Sequence, residues 1–212
     1  MSKLESNKQK KLDALLENTL ELFTTKGIQN TSISDIVQKA GVAKGTFYLY
    51  FKDKYDIRNV LIAHESTKVF LKAAARLRKE KVVGFEDRVI FLADDIVEQL
   101  QRDKKLLMFI SKNLSWGYFK AALTENPRED ALNFRLIYEK MLHDSGYVFE
   151  EPELMLFMIV ELVSSTCYSS ILYNEPVSIE KLKPYLFDAI RAIIQRQIKG
   201  TLQFEEEDIF AE

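Results

Sequence analysis

The chain of 212 residues holds one cysteine, Cys167, four prolines, seven glycines and two histidines. A lone cysteine excludes an internal disulfide framework and points to a reducing compartment. So few glycines and prolines leave too little turn punctuation for an all-β fold of many short strands. His64 and His143 stand far apart, and neither has a partner at metal-ligand spacing. His64-Glu65 supplies only two residues of a zinc-protease pattern. With no glycine-rich phosphate loop and no convergent catalytic groups, the sequence predicts no enzyme, no metal and no cofactor. The most apolar run, Leu154 to Val160, falls well short of the roughly 20 residues a membrane span needs, and Glu161 follows it directly. The first residues, Met1-Ser2-Lys3-Leu4-Glu5-Ser6, lack the apolar stretch of a signal peptide. These absences predict a soluble, cytoplasmic protein with no membrane partner.

Hydrophobic residues make up 47% of the chain, too many for a disordered protein and enough for a real core. Apolar spacing at i, i+3, i+4 and i+7 recurs almost throughout, and strict alternation is nearly missing, so the chain is predicted to be all-α. The first helix carries Leu12, Leu15, Leu16, Thr19, Leu20 and Phe23 on one face and stops at Gly27. The second buries Ile33, Ile36, Val37 and Ala40, opens on a Ser32/Asp35 pair resembling a capping box, and ends at Gly41. A third short helix spans about Ala43 to Tyr50, and a long fourth runs from Lys54 to about Lys81. Further helices are expected at about 86–101, 104–123 with a break near Gly117, 128–144, 152–173 and 178–199. Pro127, Pro152 and Pro176 sit at or before helix starts, and Pro184 is placed in a first turn.

Charge is unevenly spread. Residues 1–60 hold ten basic and seven acidic side chains, net +3, against −2 for the whole chain and therefore −5 for the rest. A basic head on an acidic body suits a protein whose head alone meets a polyanion. Two short helices joined through Ala40-Gly41-Val42 under a longer first helix form a helix-turn-helix, whose second member lies in the DNA major groove. The segment Ala43-Lys44-Gly45-Thr46-Phe47-Tyr48-Leu49-Tyr50-Phe51 would serve poorly as a purely structural helix. It sets a glycine in the first turn, where backbone can approach another surface closely, and puts lysine and hydroxyl groups beside aromatics as phosphate ligands. Singly, Tyr48 and Tyr50 also fit ordinary surface aromatics, Phe47 fits packing toward the first helix, and Lys44 and Lys54 fit solvated side chains. Lys8, Lys10 and Lys11 fit either an arm along DNA or a frayed terminus.

The series Thr31, Ile33, Ile36, Ala40-Gly41-Val42, Lys44-Gly45-Thr46, Tyr48, Phe51 and Lys54, at these spacings over residues 8–57, resembles the DNA-binding signature of the TetR family of transcriptional regulators. The resemblance implies a three-helix DNA-binding head at 1–54, its helix-turn-helix at about 31–50, and a helical ligand-binding and dimerisation body at 55–212. It implies that Thr31 caps the second helix and reaches a phosphate, that Lys44, Gly45 and Thr46 face the groove, that Tyr48 binds a phosphate and that Lys54 contacts the DNA backbone. Ser32, Phe47, Leu49 and Tyr50 complete the expected interface, with Ile33, Ile36, Val37 and Phe51 as core. Tyr50 stands where the family often has histidine, and Leu49 where a second tyrosine is frequent. Leu49 offers a thymine-methyl contact and no hydrogen bond.

The body carries two apolar stripes: Met155, Met158, Ile159, Leu162, Val163 and Thr166, and Leu182, Leu186, Ala189, Ile190, Ile193 and Ile198. By spacing alone they fit internal core and dimer interface equally; the resemblance implies a homodimer built through a four-helix bundle. Met108, Trp116, Phe119, Tyr138, Met141 and Tyr168 are the expected lining of a pocket for a small, mostly apolar effector. The expected partners are double-stranded DNA bearing a palindromic operator, a second copy of the chain and that effector, with repression as the outcome. The rival reading is a helical interaction protein whose basic head binds a protein or an anionic surface. Cys167, in an apolar helix, is expected to be a small core hydrophobe.

Overall fold

The computed structural model describes the backbone of residues 3–111 and 129–201 and the side chains of residues 6–111 and 134–201. Nine helices and one two-stranded ribbon occur among the described residues, in the order α1 (Lys3–Thr25), α2 (Ile33–Ala40), α3 (Lys44–Tyr48), α4 (Lys54–Leu77), α5 (Phe85–Arg102), α6 (Lys104–Ser111), α7 (Glu129–Asp144), β1 (Tyr147–Phe149), α8 (Pro152–Tyr173), α9 (Ile179–Gln197) and β2 (Ile198–Thr201). The predominantly helical reading is therefore correct, and the helix starts agree closely. The described residues form two compact units, one of residues 3–73 with 95–111 and 129–134, the other of residues 74–94 with 135–201.

In the first unit, Leu15, Leu16 and Phe23 of α1, Ile36 and Val37 of α2, Phe47 of α3, Phe51, and Ile57, Leu61 and Ile62 of α4 are all buried, with α1 packed on α2 and α2 on α3. Phe23 also meets Phe109 of α6, ring centroids 6.3 Å apart. Further along α4, Phe70 packs edge-on against Phe134 at 4.4 Å. Gln99 of α5 donates to the Val69 carbonyl and to Asp95, fastening α5 to α4.

The second unit is built on the hairpin of α8 and α9. Met155, Ile159, Cys167 and Ile171 on one side and Ile179, Leu186, Ile190 and Ile194 on the other form its core. Residues 186, 190 and 194 recur every four positions, the spacing that keeps one helical face against its neighbour. Arg191 pairs with Glu86 and Asp87, and Lys183 with Asp94, tying α9 to the start of α5. As a whole, α8 has the length and mean apolar character of a membrane span, which the seven-residue apolar run did not register. The same helix packs along its length on α9.

Three expectations need correction. The fourth helix ends at Leu77 and not Lys81: Lys79 and Glu80 bond back three residues, to Arg76 and Leu77, because Arg78-Lys79-Glu80-Lys81 offers no apolar side to bury. Pro184 is the sixth residue of α9, past the first turn. The last helix stops at Gln197, and the chain continues as β2, antiparallel to β1 with Tyr147 opposite Thr201 and Phe149 opposite Ile198. Strands of three and four residues are too short to display a period of two. The ribbon is fixed through Phe149, whose ring stands 5.0 Å from Phe85, and through Glu150 and Glu151, which donate main-chain N–H groups to Gln197.

Candidate nucleic-acid interface

The helix-turn-helix is held by its caps. Ser32 is the N-cap of α2: its hydroxyl accepts from the Asp35 N–H at 3.1 Å, and the Asp35 carboxylate accepts from the Ser32 N–H at 2.8 Å. This reciprocal box satisfies two donors that a helix start leaves open. The Ser32 N–H, the Ser32 hydroxyl and then Lys26, at 3.1 Å, hold the Asp35 carboxyl at about 2, below its usual 3.8. At the other end Gly41 takes φ +66°, so that its N–H reaches the Gln38 carbonyl and the Val42 N–H reaches that of Val37. This paired closure needs a left-handed residue, which glycine supplies without steric cost. The turn into α3 is therefore set by hydrogen bonds as well as by packing.

On α3 the side chains divide cleanly. Phe47 is fully buried, with rings of Tyr48 and Phe51 at 5.5 and 5.6 Å. Its placement in the interface is corrected: with no exposed surface, the ring is the core anchor of the helix. Lys44 and Gly45 are exposed, Thr46 is half-buried, and Tyr48 and Leu49 are 52% and 79% exposed. A Cβ added at Gly45 would meet nothing within 4 Å, so no contact among the described residues accounts for a glycine there. The helix is five residues long where eight were expected; beyond Tyr48 the N–H groups of Leu49 and Tyr50 bond back three residues, tightening the turn.

Three of the anticipated contacts are engaged inside the chain. Thr31 is 1% exposed, and its hydroxyl donates to the Gly27 carbonyl at 2.8 Å; it neither caps α2 nor reaches outward, which corrects both roles given to it. Tyr50 donates its hydroxyl to the Lys8 carbonyl at 3.2 Å. Lys54 donates to the carbonyls of Ile28, Gln29 and Thr31 at 3.0, 3.2 and 3.2 Å. Asp53, which the sequence reading set at the opening of the fourth helix without a capping role, caps α4 by accepting from the N–H groups of Tyr55 and Asp56. Its position one residue ahead of the helix, with another acid three residues on, was the available signal. Elsewhere in the head Lys39 pairs with Glu21 at 2.6 Å, while Lys44 has no ion pair among the described residues.

Of the expected effector-pocket residues, Trp116 and Phe119 lie outside the described residues. Met108 belongs to the first unit and is partly exposed. In the second unit, Met141 is buried, and Tyr138 donates its hydroxyl to the Pro152 carbonyl at 2.7 Å. Burial raises the Tyr138 hydroxyl well above its ordinary value. The Tyr168 hydroxyl is buried with no hydrogen-bond partner among the described residues.

A capped helix-turn-helix with its outer face open, on a helical body, defines a DNA-binding regulator of the helix-turn-helix class. Comparison with known proteins agrees. Residues 15–61 match the family described as bacterial regulatory proteins, tetR family. The transcriptional regulator YuxN of Bacillus subtilis is 30% identical over 201 residues, covering 91% of this chain and 67% of that protein. The chain belongs to the TetR family of transcriptional regulators. The fatty acid metabolism regulator protein of Bacillus subtilis is 34% identical over 108 residues, 51% of this chain and 46% of that protein. The chain spans less than half the length of several curated relatives it matches. Among solved structures, the regulator FadR of Bacillus subtilis in complex with stearoyl-CoA superposes with a TM-score of 0.58 at 17% identity, covering 84% of this chain and 97% of that one.

Proposed function

We propose that the chain is a repressor that grips a palindromic operator as a homodimer and is released by a small, mostly apolar effector. In this reading residues 1–54 are the DNA-binding head and 55–212 the sensing and dimerising body. The observation that carries it is the outer face of α3: Lys44, Gly45, Thr46, Tyr48 and Leu49 are presented outward around a single buried anchor, Phe47. Lys44 and Tyr48 serve the phosphates and fix register, Gly45 lets the helix backbone come close, and Thr46 and Leu49 meet base edges. Ser32, exposed at the start of α2, adds a hydroxyl beside the groove.

The dimer reading is supported by the last helices. Two of the six residues in each stripe (Met155 and Ile159, Leu186 and Ile190) are consumed in the single chain, while Met158, Leu162, Val163, Leu182, Ala189 and Ile193 stay partly exposed, with Leu154 and Tyr185 more so. A second copy would cover them and set two reading helices about 34–36 Å apart, the spacing that demands a palindrome. For the effector, a long acyl chain is the first candidate for the apolar part, carried on its polar coenzyme A head, because the FadR structure holds stearoyl-CoA and a fatty acid metabolism regulator is 34% identical over half the chain. Tyr138, Met141 and Tyr168, all in the second unit, are its proposed contacts. To move operator occupancy from 99:1 to 1:99, the effector must prefer the released state by about 5.5 kcal/mol.

The experiment is selection of duplexes from a random library with wild type, Lys44→Ala and Tyr48→Ala at two salt concentrations. An enriched palindrome, weakened in both variants, supports operator reading, and acyl-CoA should then elute the protein from it. Recovery of unrelated sequences at equal, uniformly salt-sensitive affinity would instead favour an interaction protein with a basic head.

A further inference from the structure

We infer that Lys54 is a positioning residue for operator reading, a clasp that locks the loop ahead of α2 onto the first residue of α4, and not a phosphate ligand. An ammonium group has three donors, and all three are taken: Nζ lies 3.0 Å from the Ile28 oxygen and 3.2 Å from those of Gln29 and Thr31. The loop is wound so that these carbonyls converge. Gly27 turns the chain at φ +85°, the Thr31 hydroxyl binds the Gly27 oxygen at 2.8 Å, and the Thr31 N–H binds the Ile28 oxygen at 3.3 Å. Three carbonyl oxygens facing one point need a compact cation on a flexible stem, which lysine provides and the planar guanidinium of arginine does not.

Both ends of the clasp are fixed in the reading apparatus. Lys54 follows Asp53, whose carboxylate caps α4 at Tyr55 and Asp56, and the Lys54 ammonium also stands 5.6 Å from the Tyr55 ring. Thr31 immediately precedes Ser32, the N-cap of α2. The contact thus joins the first residue of α4 to the residue before the N-cap of α2, and any shift of the start of α4 is passed to α2 and, through the Gly41 closure, to α3. Reaching a phosphate would require Lys54 to abandon three hydrogen bonds.

This inference rests on the DNA-reading function proposed above, and the wild-type duplex selection tests that reading separately. On the selected duplex, Lys54→Met is compared with wild type in specific affinity, nonspecific affinity and salt dependence. A positioning role predicts a fall of about tenfold or more in specific affinity, as the reading-competent fraction shrinks, with nonspecific affinity and the salt slope unchanged. A phosphate ligand in each subunit would instead flatten the log–log slope by about 1.8, twice the contribution of roughly 0.9 per phosphate, and would overturn the inference. So would an unchanged specific affinity. Should the variant not fold, lysine ammonium resonances of the wild-type protein decide. A Lys54 signal protected from exchange without DNA and unshifted by the duplex supports the clasp. Protection that arises only on DNA binding refutes it.

Discussion

The hydroxyl of Tyr50 donates to the main-chain oxygen of Lys8 at 3.2 Å, joining the end of the reading helix to the early turns of α1 across 42 residues of sequence. Those turns carry Lys8, Lys10 and Lys11, all exposed. Tyr50→Phe keeps the ring and removes the donor. The loss should cost about 0.5–1.5 kcal/mol at most, with amide exchange accelerated near Lys8 to Leu12. Exchange rates there equal to wild type would show that the contact does not hold the helix end.

Gly45 yields a prediction of opposite signs. Glycine within a helix is less stable than alanine by roughly 0.5–1 kcal/mol, and a methyl at this position enters open space. Gly45→Ala should therefore raise the unfolding midpoint in urea while weakening operator binding. A variant both more stable and equally tight on DNA would remove close backbone approach from the mechanism.

Phe47 and Leu49 separate folding from reading. Phe47→Ala empties a fully buried site and should cost about 3–5 kcal/mol, enough to unfold much of the head. Leu49→Ala, at a position 79% exposed, should stay within about 0.5 kcal/mol of wild type yet alter preference at one base pair of the selected site. Circular dichroism and repeat duplex selection read the two effects.

Asp35 gives the head a titrating cap. Its native pKa of about 2 lies below the ordinary 3.8, so the ionised form is favoured by folding. The stabilisation is complete above about pH 4 and is lost as pH falls through about 2. The stability difference between wild type and Asp35→Asn should be flat from neutrality to pH 4 and shrink below it. A difference that changed instead near neutral pH would assign the effect to another group.

Cys167 is buried in α8, and desolvation raises its thiol to about 11 from the usual 9.0. At pH 8 roughly one thiol in a thousand is ionised, and only the thiolate reacts. Alkylation by iodoacetamide should be negligible in the native state and rapid in urea. Fast native labelling would mean that α8 opens.

The helices were legible where one apolar stripe faces one core, as Leu12 to Phe23 does in α1, and the Ser32/Asp35 box was legible because its two residues are local. Features that depend on distant chain segments were not. The clasp of Lys54 joins positions more than twenty residues apart. The ribbon of Tyr147–Phe149 pairs with residues some fifty positions later. Phe47 could be assigned outward or inward from the sequence, because a five-residue helix is too short for its periodicity to choose a face. The family signature marked which residues matter in the head, but not which of them hold the fold. Thr31 and Phe47 lie inside it, whereas Lys44, Tyr48 and Leu49 lie outside.

That division has an evolutionary consequence. Because α3 is anchored by one side chain and its surroundings by caps and a clasp, the outward positions 44, 45, 46, 48 and 49 contribute little to folding. Mutations there can drift almost neutrally with respect to stability, so a duplicated gene could acquire a new operator in single steps without passing through an unfolded intermediate.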